Sequence, residues 1–184
     1  MKLPIALSRK QIIAQKALHL FAERGYERVS TVLLAKEAPV SEALIFKRFG
    51  TKEQLLVSII TTGYQRIVEH IRGRLAEQDP LVFLHKMIDL PLELVQEEPD
   101  FWKLQARLSE VEFARRQHAH FLQPLPGLLQ RAFEGLGYAQ PKLEAQLLLL
   151  LVETFWLLQA TGFGQATPKF LEFIKSKYQY QHRP

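Results

Sequence analysis

The sequence predicts an all-α fold, and three observations predict it. Apolar residues recur at three- and four-residue spacing along most of the 184-residue chain. No alternating β-branched run is bounded by a hairpin dipeptide. Ser, Thr and Asp starts and Gly or Pro stops fall at helix-length intervals. About nine helices follow. Hydrophobic residues make up 47% and charged residues 23%, which supports a packed core and argues against disorder.

The first helix is expected from Ser8, a plausible N-cap, to Arg24, with Ile13, Ala17, Leu20 and Phe21 on one stripe and Gly25 as the stop. A short second helix follows Ser30 or Thr31 and carries Leu33, Leu34, Ala35 and Ala38; Pro39 interrupts it. Ser41 caps a third, Glu42 to Phe49, which Gly50 ends. Thr51 and Gln54 are spaced as a capping box for a long fourth helix reaching Glu77. Asp79-Pro80 starts the fifth, over 81–97, with a kink expected at Pro91. Further helices are expected over 100–117, 125–136, 142–161 and 168–178, with breaks at Gly135-Leu136-Gly137 and Gly162-Phe163-Gly164. Two units are expected: residues 1–50 and residues 51–184.

The charge is unevenly placed. Residues 1–53 hold ten Lys/Arg and five Asp/Glu, a net of +5, and the remainder holds fourteen of each, a net of 0. One end is suited to a polyanion and the other is not. There is no cysteine, which excludes disulfides, thiolate metal sites and Cys nucleophiles. With an N-terminus lacking the long apolar core of a signal peptide, this fits a cytoplasmic location.

Two short helices around a tight turn, in the basic third, form the pattern of a helix-turn-helix DNA reader. Thr31 and Ser41 stand at helix starts, Lys47 and Arg48 lie on the third helix, and Lys52 opens the fourth. Arg9 and Lys10 extend the positive surface. A generic three-helix bundle with polar caps would share this spacing.

Residues 9–60 resemble the N-terminal domain of the TetR family of transcriptional repressors. The resemblance lies in Ile12/Ile13 with Ala17 and Leu20-Phe21; Gly25-Tyr26; Ser30-Thr31; Leu34-Ala35; Val40-Ser41; Phe46; Phe49; and Lys52-Glu53-Gln54-Leu55. It implies a homodimer with an N-terminal reader and a C-terminal effector-binding domain. It further implies Thr31 as a phosphate ligand, Ser41, Glu42 and Ala43 as the base-facing edge of the recognition helix, Lys47 on the DNA side and Lys52 as a backbone clamp. The chain departs from the family at three places. Pro39 stands where glycine is usual. Phe46 stands where a tyrosine hydroxyl usually reaches phosphate, so its packing role alone carries over. Arg48 replaces a common histidine, either adding phosphate affinity or pointing to solvent. Glu42 either accepts from a cytosine N4 or answers the helix dipole.

The neutral remainder carries Phe101, Trp102, Phe113, Phe121, Phe133, Phe155 and Trp156. Apolar faces with a few polar groups suit a small lipophilic ligand, and they also suit a plain packed core. Candidate ligand contacts are His85, Ile88, Phe101, Trp102, Gln105, Leu108, Phe121, Thr154 and Phe155. The helix over 142–161 is apolar on more than one side. Its second face, with the last helix, is expected to pair with a second copy through Leu148, Val152, Phe155, Gln159, Phe170 and Ile174. The apolar run 147–152 is far short of a membrane span, so no membrane partner is expected. His118 and His120, two apart, diverge on a helix. With no hydrolase, zincin or phosphate-loop motif, neither an enzyme nor a cofactor or metal is expected.

The expected function is a dimeric, ligand-responsive transcriptional regulator on a palindromic operator, with repression relieved by the effector. The alternatives are a helical small-molecule-binding protein without sequence-specific DNA binding and a helical enzyme using His85, Asp89 or Glu153.

Overall fold

The computed structural model describes residues 8–163 and 167–181; Gly164 of the expected break lies outside the described residues. Among them the chain is all-α, with α1 (Arg9–Arg24), α2 (Thr31–Glu37), α3 (Glu42–Phe49), α4 (Lys52–Leu75), α5 (Pro80–Glu97), α6 (Pro99–Arg107), α7 (Glu112–Leu122), α8 (Leu125–Gly135), α9 (Pro141–Thr161) and α10 (Pro168–Lys175).

The starts follow local chemistry. Ser8 and Thr51 each close a capping box, with Gln11 and Gln54 as reciprocal partners. Ser30, not Thr31, caps α2, accepting from Leu33 N at 3.1 Å. Ser41 accepts from Leu44 N at 3.2 Å. Asp79 accepts from both Leu81 N and Val82 N at 2.9 Å. The α2–α3 turn holds Pro39 without any positive φ, because Val40 N bonds back to Ala35 O at 3.1 Å. Glycine's conformational freedom is therefore not needed at this turn.

The helix expected over 100–117 is two helices. Leu108 N shares the carbonyls of Leu104 and Gln105, the tightening that ends a helix, and the chain turns before α7. The helix expected to reach residue 178 stops at Lys175, and Tyr178 instead packs on the Phe133 ring with centroids 5.3 Å apart. Burial pushes the Tyr178 phenol up to about 12. Pro91 lies buried inside α5, which is one element from Pro80 to Glu97.

Helices α5, α8 and α9 pack together, and α6 lies between α9 and α1. Helix α1 buries Ile13, Ala17, Leu20, Phe21 and Ala22, and polar bonds tie it to α6. His19 Nδ1 lies 2.9 Å from Asp100 Oδ2, and Lys103 Nζ donates to Glu23 Oε1 at 2.7 Å. The bond from Lys103 holds the Glu23 carboxyl below its ordinary value.

Helix α9 corrects the expected second face. Leu148, Val152 and Phe155 are buried in the chain's own core, as is Ile174 of α10. The exposed stripe is instead Leu143, Leu147, Leu150 and Leu157, continued on α10 by Phe170 and Phe173. Gln159 is half-buried. A helix apolar on several sides has no period that singles out one face. The short run 147–152 also understated α9, which by length and composition alone is apolar enough to cross a membrane, with mean hydropathy 1.4. It packs here against α5, α6 and α8.

Candidate functional site

Helix α3 divides cleanly. Ile45 and Phe49, four apart, are buried, while Ala43, Phe46 and Lys47 share the opposite, exposed face. Ser41 and Arg48 are also exposed. Glu42 and Lys52 are partly covered: Thr31 donates its hydroxyl hydrogen to Glu42 Oε1, and Lys52 Nζ lies 4.2 Å from the Tyr26 ring centroid. The eight residues expected at a DNA surface therefore lie on or beside one exposed edge of α2, α3 and the start of α4. The Thr31–Glu42 bond joins the starts of α2 and α3, a contact that spacing along either helix does not reveal. It occupies the Glu42 oxygen expected to accept from cytosine. Among the described residues, Lys36, Lys47 and Arg48 are outside every ion pair, so their charge faces solvent. Val32 adds an exposed apolar side chain to this edge.

Behind this edge a cleft of about 640 Å³ opens between α1, α4 and α6. Ala14, Leu18, Ile59 and Phe101 give it apolar walls, and Lys10 and Arg66 stand among its polar residues. Of the expected ligand contacts only Phe101 lines it. Thr154 faces outward on α9 and donates to Leu150 O at 2.8 Å. Ile88, Leu108 and Phe155 are buried core residues, and His85 is half-buried with its Nε2 unpartnered.

Trp102, Gln105 and Phe121 do come together, around a polar centre that includes residues the spacing passed over. Gln105 donates to the Tyr64 hydroxyl oxygen. Tyr64 Oη lies 2.8 Å from His118 Nδ1, and His118 Nε2 lies 2.8 Å from Glu153 Oε2. A neutral imidazole satisfies the row: it accepts from the phenol and donates to the carboxylate. Burial raises the Tyr64 pKa well above its ordinary value, so the phenol keeps its proton as a donor and is no ready nucleophile. Helix α4 therefore runs from Lys52 at the reading edge to Tyr64 at this centre, and at the closely packed Gly63 it meets Phe101 of α6.

A helix-turn-helix unit with a basic exposed edge, joined to a helical bundle, defines a helix-turn-helix regulator. Residues 13–59 match the family model described as bacterial regulatory proteins, tetR family, and through this unit the chain belongs to the TetR family. It is 29% identical over 100 residues to the uncharacterized HTH-type transcriptional regulator YuxN of Bacillus subtilis (strain 168). That match covers 54% of this chain and spans about a third, 34%, of the relative. It is 23% identical to the nucleoid occlusion factor SlmA of Pasteurella multocida (strain Pm70), over 89% of this chain and 88% of that one. The fold matches a TetR-like transcriptional regulator from Rhodococcus sp. RHA1, with TM-score 0.74, 20% identity and 95% of each chain covered. It also matches AibR, solved in complex with isovaleryl coenzyme A and operator DNA, with TM-score 0.69, 20% identity, and 95% of this chain and 100% of AibR covered.

Proposed function

We propose that this chain is a ligand-responsive transcriptional repressor that binds a palindromic operator as a homodimer and is released by a small lipophilic effector. The observation that carries this reading is the α3 face, where Ala43, Phe46 and Lys47 stand exposed beside unpaired basic side chains. Residues 1–50 act as the reader and residues 51–184 hold the effector and the subunit partner. Cytoplasmic DNA is the target. Ala43 and Ser41 meet base edges, Lys47 and Arg48 meet phosphates, and Lys52 clamps the backbone while stacked on Tyr26. Thr31 and Glu42 act first on each other, fixing how α2 and α3 meet.

The second copy covers the exposed stripe of α9 with Phe170 and Phe173 of α10, forming a four-helix contact. This interface lies one face round from the set expected from spacing. Leu147→Lys with Leu150→Lys is expected to give a folded monomer in light scattering at micromolar concentration. A dimer that survives both changes would place the interface elsewhere.

Ligand binding between α4, α6 and α7 shifts α4, and the α1–α6 ion pairs carry the shift to the reader. The effector moves the equilibrium only by its difference in affinity for the two arrangements. Native mass spectrometry of the purified protein tests this by looking for a co-purified small molecule, and titrating that molecule into the protein–DNA complex is expected to release DNA. Lys52→Ala is expected to weaken binding to all sequences alike and to lower the salt slope by about one. Loss of preference at a single base would instead make Lys52 a base reader.

A further inference from the structure

Three buried polar atoms at the Tyr64–His118 centre have no partner: Trp102 Nε1, Trp156 Nε1 and Gln105 Oε1. Buried N–H and C=O groups are costly to leave unpaired and are rarely left so. Only one other such side-chain atom occurs among the described residues, His85 Nε2. The three share one cluster. The Trp102 and Trp156 ring centroids are 5.3 Å apart, His118 is 5.0 Å from Trp156, and Gln105 bonds Tyr64, whose ring lies 5.2 Å from Phe121.

We propose that this cluster is the polar end of the effector site and that it takes an uncharged ring compound bearing a hydroxyl group. The inference rests on the effector-binding reading above and gives it a chemistry. Two indole N–H groups lack an acceptor and one amide oxygen lacks a donor. A hydroxyl is both: its oxygen accepts from an indole N–H and its hydrogen goes to Gln105 Oε1. A carboxylate brings no proton for Gln105 and adds a like charge near Glu153. An ammonium supplies Gln105 but leaves both indoles unmatched. The flat faces of Trp102, Trp156, His118 and Phe121 favour a ring over a flexible chain. Helix α7 is the wall that gives way to admit it, since Ala114 is its single buried residue.

The chain has two tryptophans, and both stand at this site, so intrinsic fluorescence reports on it directly. Alicyclic alcohols from cyclohexanol to borneol, which do not absorb with tryptophan, are titrated into the full chain beside the matching amines and carboxylates. A saturable emission change is expected with the alcohols, at an affinity at least tenfold above the charged analogues. Trp156→Phe keeps a ring and removes one donor; it is expected to lower alcohol affinity several-fold while Trp102 still reports. Equal affinity for all three classes, or an unchanged Trp156→Phe affinity, would overturn the hydroxyl assignment. A saturable response to the carboxylates alone would overturn it too, while leaving the effector site where it is. A compound that releases operator DNA without changing tryptophan emission would overturn the location, and effector control itself would stand. Failure of every compound to bind, together with no small molecule in native mass spectra, would overturn both.

Discussion

Lys47→Glu combined with Arg48→Glu is expected to abolish operator binding while the protein stays folded. Both side chains are exposed and lie in the last turn of α3. Neither belongs to an ion pair, so no internal contact is lost. The stability cost is the unfavourable sign at a helix C-terminus, roughly 0.3–1 kcal/mol per charge. The binding cost is far larger. Each phosphate contact adds about 0.9 to the dependence of log affinity on log salt, so removing two lowers the slope by about 1.8. Reversal also adds repulsion, and the affinity at physiological salt should fall by at least about a hundredfold. Anisotropy titrations at several salt concentrations, with a thermal melt as control, check this. A variant that binds with an unchanged slope would show that α3 does not face the backbone.

Gly63→Val is expected to be the most damaging single change in the core. A Cβ at this position would lie 2.1 Å from Cε2 of Phe101. Phe101 is fully buried, with Tyr64 at 5.2 Å and Trp102 at 5.5 Å between ring centroids, so it has nowhere to retreat. Replacing a mid-helix glycine by alanine normally stabilises by about 1 kcal/mol. Overpacking here costs roughly 1–3 kcal/mol for a small group, and valine adds two further methyls, so the clash wins. A net loss of about 3 kcal/mol corresponds to a Tm about 6–12 °C lower for a chain of this size. Phe101→Leu is expected to recover part of the loss in Gly63→Ala, since the two positions share one space. Additive effects of the pair would mean that the contact is not what limits this crossing.

The elements set by local chemistry were legible in the sequence. Ser8, Ser41, Thr51 and Asp79 cap where their spacing to the next apolar residue puts them. The reader was legible too, because charge, short helices and caps all fell within the first 53 residues. What spacing could not show is contact between distant segments. His118 looked unremarkable beside His120, yet its partners are Tyr64 and Glu153, 54 and 35 residues away. Thr31 looked like a free hydroxyl until α3 brought Glu42 against it. Helix α9 hid its orientation because Leu147 and Leu148 are equally apolar, and packing alone decides that Leu148 turns inward. The break between α6 and α7 was missed because Leu104, Leu108 and Val111 keep helical spacing through the turn.

Anisotropy titration of the full chain against its own upstream DNA and a scrambled duplex of equal length tests the central claim most directly. The account predicts two chains per duplex, affinity that falls steeply with salt, and binding to the native sequence at least about a thousandfold tighter than to the scrambled one. Equal affinity for the two duplexes, or no binding at low salt, would contradict it.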